Sequence, residues 1–493
     1  MNICLLNDSF PPVIDGVVNV VMNYADILTR ELESKVVVAT PKYPDASYDA
    51  YPYSVIAYPS FDTTDFIKGY RTGNPLSVRE IAQIVDQKPQ IIHTHCPAAS
   101  TIMARILRSQ TSAPIVFTYH TKFDVDIARA VGEGFLKKET IKAMVSNIEG
   151  CDDVWVVSEG AGENLRSLGY EGELRVMPNG VDFPKGRATQ KMVKDVTQGV
   201  DVPEGIPVFL FVGRIIQYKG LPMIIDALNE LSGEGKEYRM VFVGGGPDEE
   251  LLQQKIKNYG IALDVYDEKG EVTHFESSGK KSGKMIFTGP VHDREKLRAW
   301  NTRADLFLFP STYDTNGIVV REAAACGLGS VLIKGSCAAE GITDGRNGYL
   351  IDENSSALAG LLRTVCMDLD GMHQVGQHAM DEIYISWSNS VRLAFDRYKE
   401  LLELKADGQL VRRKHQSFES LMRNAEIALD GTQRAFFEMP KQFQMEMKDN
   451  LEELRKGLSE NISQFGDIVS SNFDKLNDGF TEIRDKINEK FEN

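Results

Sequence analysis

The sequence predicts an α/β protein of two doubly wound halves with a helical tail. Three observations predict it. Strand-length apolar runs alternate with helix-length segments from the first residues, the pattern of an open parallel sheet covered on both faces. That alternation lapses near residue 183 and resumes near Pro207, so there are two such sheets. Beyond Lys405 it gives way to one continuous apolar stripe at helical spacing. A chain of 493 residues holds two or three domains of ordinary size, and 42% apolar with 9% aromatic content supports sizeable cores.

In the first half, residues 2–7 read as a strand, 11–15 as a loop, and Gly16 opens a helix to about Leu32. Further strands are expected at 36–40, 91–95, 115–119 and 153–157. Residues 183–205, rich in Gly, Lys and Thr, read as a less ordered hinge. The second series has strands at 208–212, 240–243, 285–288, 305–309 and 330–333. The polar stretch 264–284 reads as a surface hairpin or flap. A last helix starts near Trp387 and runs to about Leu404. The expected division is therefore 1–185, 206–384, a helix at 385–404, and a tail at 405–493. In folds of this class ligands bind outside the carboxyl ends of the strands, so the halves are expected to face a cleft.

Composition narrows the function. A net charge of −16 argues against a nucleic-acid partner. The six cysteines are scattered with no metal spacing, which fits reduced thiols. No window reaches 18 apolar residues, and the chain runs from Met1 straight into a strand, so neither a membrane span nor a leader is expected. The expected location is cytoplasmic. Residues 10–16 lack G-x-G-x-x-G, which speaks against a hydride-transfer cofactor.

The most informative stretch is Tyr313-Asp-Thr-Asn-Gly-Ile-Val-Val-Arg-Glu-Ala-Ala-Ala-Cys-Gly327. It follows an apolar strand and holds a glycine-bearing loop and then a small-residue helix. The first N–H groups of such a helix are unpaired and point at whatever anion lies there. Asp314 and Glu322 flank the turn. Carboxylates beside a phosphate site suit neutral hydroxyl-rich groups, because an ionised carboxylate only accepts hydrogen bonds. Phosphate between hydroxyl-rich groups describes a nucleotide sugar; helix capping is the structural alternative for the pair.

The Asp314-to-Glu322 spacing resembles the E-x7-E element of the retaining glycosyltransferases of family 4, which have the GT-B fold of two Rossmann-like domains facing a cleft. The resemblance implies that Glu322 holds the nucleotide ribose, and that Asp314 with the following backbone groups at Asn316, Gly317 and Ile318 holds the donor sugar. The chain departs from the family in having Asp, one methylene shorter, at 314, and Gly329 in place of proline.

Phe209-Leu-Phe-Val-Gly-Arg-Ile-Ile-Gln-Tyr-Lys-Gly220 is similar to the family's G-R-x4-K-G element, where both cations, here Arg214 and Lys219, hold the donor diphosphate. The chemistry needs them, since negative charge grows on the departing diphosphate and fixed cations stabilise it most in the transition state. Phe10-Pro-Pro-Val-Ile-Asp-Gly-Val-Val18 resembles the first loop, where Gly16 lets backbone N–H groups approach phosphate; an ordinary turn is the alternative. Val116-Phe-Thr-Tyr-His-Thr-Lys-Phe123 looks like members that act on membrane glycolipids, in which the histidine, here His120, meets the donor sugar near the reacting carbon. Gly245, within Gly244-Gly-Gly-Pro247, suits close backbone approach to the ligand, and Pro178-Asn-Gly-Val-Asp182 resembles a junction element. His93, His95, Trp155 and Trp387 read as core or supporting residues. Asp124 and Asp126 have DxD spacing, but the family uses no such metal, so none is assigned and no cofactor is expected beyond the nucleotide-sugar co-substrate.

In the tail, apolar residues from Phe443 to Phe491 follow an eleven-residue repeat, the period of a nearly straight helix. Such a stripe needs a partner. Residues 440–493 carry 12 acidic and 8 basic side chains, which disfavours anionic lipid and favours self-association or packing on the body. The resemblance implies a hexosyltransferase, with UDP-glucose as donor and a lipid such as diacylglycerol as acceptor, acting with retention. A basic, apolar edge at 135–142 suits the inner membrane face; a solvated helix is an equal reading. The alternatives are a soluble or polysaccharide acceptor, or a weakly active scaffold assembled through its tail.

Overall fold

The computed structural model describes residues 1–13, 15–62, 71–124, 127, 134–267, 270–277, 281–314 and 317–410, with only the backbone described at 135 and 136. The tail repeat, Asp126 and Asn316 thus lie outside the described residues. The chain forms two compact units. One holds Met1–Trp155, Asn164–Arg175 and residues 395–410; the other holds Val156–Glu163 and Val176–Ala394.

The first sheet has seven strands: β1 (Asn2–Leu6), β2 (Lys35–Pro41), β3 (Ser54–Tyr58), β6 (Ile91–Thr94), β7 (Ile115–Tyr119), β8 (Asp153–Val156) and β9 (Arg175–Val176). Two short strands, β4 (Ser60–Asp62) and β5 (Arg71–Gly73), pair as a separate antiparallel ribbon. The sheet order is β3-β2-β1-β6-β7-β8-β9, and the pairs from β3 to β7 are parallel. β1, β6 and β7 are almost wholly buried, as strands covered on both faces must be. The chain order reverses at β1, so the carboxyl ends of β1 and β6 open the crevice that such reversals create. Helix Gly16–Arg30 follows β1 and is capped by Asp15, which accepts from Val18 N–H at 2.7 Å.

The second sheet has eight: β10 (Val208–Val212), β11 (Arg239–Val243), β12 (Ala262–Tyr266), β13 (Val272–Phe275), β14 (Lys284–Phe287), β15 (Leu306–Phe309), β16 (Ser330–Ile333) and β17 (Tyr349–Ile351). Their order is β13-β12-β14-β11-β10-β15-β16-β17. All neighbours are parallel except β12 and β13, so the polar stretch expected as a hairpin is one, laid along the sheet edge. Phe209, Phe211, Phe242, Phe287, Phe307 and Phe309 fill the core with fully buried rings. Here the reversal falls between β10 and β15.

Two expectations need correction. Residues 183–205 are not a loose hinge. They include helix Gln190–Thr197, capped by Thr189, and are tied to the second unit by Ala188 N–H to Thr302 Oγ1 at 2.9 Å and Arg187 to Thr302 O at 2.6 Å. The second unit also reaches further back than residue 206. Val181 bridges Ser386, and the Glu340 carboxylate accepts the N–H groups of Glu159 and Gly160 at 2.7 and 2.6 Å. A carboxylate on a helix's unpaired N–H groups is a strong tie that spacing does not reveal. The last helix, Trp387–Ala406, has its first eight residues in the second unit and the rest in the first.

Candidate functional site

The second unit carries most of the predicted residues, and its topology explains why they meet. β10 and β15 are neighbours, and their carboxyl ends flank the reversal. The loop after β10 holds Gly213, Arg214 and Lys219; the loop after β15 holds Ser311, Asp314 and Gly317. Lys219 ends a single 3-10 turn, Gln217–Lys219, stopped by Gly220 at φ 79°. A Cβ on Gly220 would lie 2.2 Å from Pro310 O, so only glycine lets the two loops touch.

Lys219 Nζ lies 3.0 Å from Asp314 Oδ1 and 5.5 Å from the centre of the Phe309 ring. Ser311, fully buried, donates to Asp314 Oδ2 at 2.6 Å. Both carboxylate oxygens are therefore engaged. Arg214 is exposed and has no ion-pair partner among the described residues. The backbone beside it is fixed by Ile215 N–H to Gly245 O at 3.0 Å and Gly213 N–H to Val243 O at 3.0 Å. A Cβ on Gly244 would meet Gly213 O at 1.9 Å, and one on Gly246 would meet Ile215 O at 2.2 Å. The close approach thus requires Gly244 and Gly246, whereas Gly245 meets nothing nearer than 3.7 Å.

Helix Ile318–Ala325 begins at Gly317, which has φ 54° and no side-chain cap. Val320 N–H already bonds Gly317 O at 2.8 Å, which leaves the N–H groups of Ile318 and Val319 without a partner inside the helix. Glu322 sits on this helix with its side chain 10% exposed. Burial raises its pKa, while the Arg294 guanidinium, hydrogen-bonded to Oε1, opposes that shift. Arg294 also lies 3.6 Å from Asp182 and stacks 4.5 Å over the Phe183 ring. Asn179 O accepts from Arg321 at 2.9 Å, and Gly180 presses against Trp387 with a hypothetical Cβ 2.4 Å from its Cα, so the 178–182 element meets both this helix and the start of the last one.

The sequence did not point to Arg294 or Ser311. Ser311 could have been noticed three residues before Asp314, a spacing that allows a local side-chain bond. Arg294 gave no signal, since nothing in the spacing links a helix start to a carboxylate 28 residues on.

In the first unit, His95 and His120 follow the adjacent strands β6 and β7. His95 Nδ1 and His120 Nε2 are 2.9 Å apart with rings stacked at 21°. His93 bridges Tyr398 Oη at 2.5 Å and Thr118 Oγ1 at 2.7 Å, and lies edge-on to Trp155. Burial pushes the His120 pKa down to about 3 and those of His93 and His95 well below the usual imidazole range. His120 is therefore a neutral hydrogen-bonding group at pH 7. Gly16 has open space where a side chain would be. Among the described residues no group of three or more His, Cys, Asp or Glu side chains is placed to hold a metal ion, and no helix is long and apolar enough to cross a membrane.

Known proteins match the chain in sequence and in fold. Residues 14–184 match the family described as Glycosyltransferase Family 4, and residues 206–368 match Glycosyl transferases group 1. Over 386 residues the chain is 27% identical to sulfoquinovosyl transferase SQD2 of Arabidopsis thaliana, spanning 75% of this chain and 67% of that one. Over 373 residues it is 23% identical to alpha-monoglucosyldiacylglycerol synthase of Acholeplasma laidlawii, spanning 73% and 87%. Among solved structures, HepE of Anabaena in complex with UDP superposes with a TM-score of 0.60 at 17% identity, covering 81% of this chain and all of that one. With both halves matched in sequence and the paired parallel sheets matched in fold, the chain belongs to the glycosyltransferases of the GT-B fold, and its relatives include glycolipid ones.

Proposed function

We propose that the protein moves a hexose from a nucleoside diphosphate sugar, UDP-glucose in the first instance, to a lipid acceptor such as diacylglycerol, with retention at the anomeric carbon. The observation that carries this reading is the contact of Lys219 with Asp314 where β10 and β15 end. It sets a phosphate-binding cation beside an acceptor of sugar hydroxyls, next to a helix start without a side-chain cap. Arg214 and Lys219 stabilise the leaving diphosphate. Glu322 takes the ribose; Asp314 and the backbone at 316–318 take the sugar; the Gly245 loop and Gly16 admit backbone close to phosphate. A leaving-group oxygen then helps to remove the acceptor proton. His120 contributes a neutral hydrogen bond near the reacting carbon. If His120 were instead a general base on the opposite face, the product would be inverted; the lowered pKa of His120 makes it a weak base. No metal or other cofactor is required in this scheme.

The lipid acceptor rests on the Tyr119-His120 run and on the relative named for monoglucosyldiacylglycerol. Work at the inner face of a membrane from the cytoplasm follows from that acceptor. The relatives also include a D-inositol 3-phosphate glycosyltransferase of Catenulispora acidiphila, 26% identical over 331 residues, so a soluble acceptor is the reading to beat.

The test is a transfer assay with UDP-, GDP- and ADP-sugars against diacylglycerol, a monoglycosylated lipid, inositol phosphate and free sugars. Transfer to lipid giving an α-linked product from an α-linked donor is expected. Turnover of the soluble acceptors alone would remove the lipid branch, a β-linked product would remove retention, and no turnover at all would favour the scaffold.

A further inference from the structure

Arg294 is the first residue of helix Arg294–Arg303, a place where a cation opposes the helix dipole. The helix is already capped without it, because Asp293 accepts from the N–H groups of Glu295 and Lys296 at 2.9 and 3.2 Å. Its guanidinium instead turns to the buried Glu322. Three contacts fix it there: the bond to Glu322 Oε1, the face of Phe183 at 4.5 Å, and Asp182 at 3.6 Å. The other oxygen of Glu322, Oε2, takes no hydrogen bond from a described residue.

A carboxylate can accept from both hydroxyls of a vicinal diol only while it is ionised, because the protonated form gives up an acceptor site to its own proton. A carboxyl that is only 10% exposed tends towards the neutral form unless a cation stands beside it. Arg294 supplies that charge, and its charge-assisted bond to Oε1 leaves Oε2 as the oxygen open to a ligand.

Resting on the reading of Glu322 as the ribose contact, we propose that Arg294 is a positioning residue for nucleotide recognition, which holds Glu322 with one oxygen turned to the ribose and makes the site choose ribonucleoside over 2′-deoxyribonucleoside diphosphates. Arg294 itself need not touch the nucleotide. Its effect passes through Glu322, so a change at 294 should be felt by ligands with two vicinal hydroxyls and scarcely by those with one.

The test is calorimetric binding of UDP and 2′-deoxy-UDP to the full chain, with the guanosine and adenosine pairs in parallel. The wild type is expected to prefer the ribonucleotide by about tenfold or more, as the loss of a charge-assisted hydrogen bond implies. Arg294→Met should weaken UDP about tenfold, leave 2′-deoxy-UDP nearly unchanged, and so erase the preference. Arg294→Lys should restore part of it. Arg294→Met combined with Glu322→Gln should be no worse than Glu322→Gln alone, the sign of one shared pathway. If Arg294→Met is too unstable to assay, Arg294→Gln is read by the same ratio. A variant that keeps the wild-type preference, or that weakens both nucleotides equally, overturns the proposal and leaves the glycosyltransferase reading standing. A wild type that binds none of the nucleotides overturns both.

Discussion

Lys219 and Asp314 form an ion pair at 3.0 Å across two loops that end neighbouring strands, and Ser311 ties the far oxygen of the acid at 2.6 Å. The pair is half-buried, with the lysine side chain 16% and the acid 28% exposed. On the proposed reading, a diphosphate and Asp314 would compete for one ammonium group. Aspartate, shorter by a methylene than the glutamate of the family, is held at the strand end by Ser311.

The competition has a sign. Asp314→Asn should bind UDP, which lacks the donor hexose that residue 314 would hold, about three- to tenfold more tightly, because the amide releases Lys219. The same variant should lose transfer by about a hundredfold, since the sugar contact goes. Calorimetry with UDP and a transfer assay read the two effects separately, and weaker UDP binding would reject the competition.

If both cations hold the diphosphate, Arg214→Ala and Lys219→Ala should lower kcat by about a hundredfold or more, with a smaller change in KM, because charge on the leaving diphosphate is greater in the transition state than in the bound donor. Steady-state kinetics check this. Equal loss in binding and no loss in kcat would assign both cations to ground-state binding.

Gly220 holds the contact between the two loops. Gly220→Ala places a Cβ against Pro310 O at a φ of 79° and should cost about 1–3 kcal/mol, with transfer falling in step. Gly245→Ala, whose Cβ meets nothing within 3.7 Å, should cost less than about 1 kcal/mol. Thermal melts of the two variants compare them directly.

The three neutral histidines make folding sensitive to acid. Their folded pKa values lie below the ordinary value of 6.5, so the unfolded chain binds more protons between those limits. Stability is therefore full above pH 6.5 and falls as the pH drops towards 3. Asp8, pushed up to about 6 by burial, acts in the opposite direction, as does Glu322, but three imidazoles outweigh them. Urea denaturation at pH 7 and pH 5 should differ by about 2–5 kcal/mol. A flat profile would mean that the histidines are solvated.

Of the two partners open to the tail repeat, another copy or the body, the first predicts an oligomer. The full chain should sediment as a dimer or larger, and Leu451→Glu with Leu454→Glu and Leu458→Glu should return it to a monomer without loss of transfer. A monomeric wild type by analytical ultracentrifugation would end that idea.

Much of the architecture was legible because the signals are local. The runs 115–119, 208–212 and 330–333 are strands with the bounds the apolar pattern predicts, since buried parallel strands need unbroken apolar residues. Arg214, Lys219, Asp314 and Glu322 stood out because each lies just after an apolar strand or on the helix that follows, at the spacing of the G-R-x4-K-G and E-x7-E elements they resemble. The chain by itself determined the apolar strands at the centre of each sheet and which residues stand at their carboxyl ends, whereas the short or edge strands β3, β4, β5, β9 and β17 gave no such signal. Only the tertiary structure decided that β10 lies beside β15 although 93 residues separate the end of one from the start of the other, and hence that Lys219 meets Asp314. It also decided that Glu340 ties residues 159–160 into the second unit and that Arg294 stands against Glu322. Those pairings depend on strand order and on how helices cross a sheet, which local periodicity does not encode.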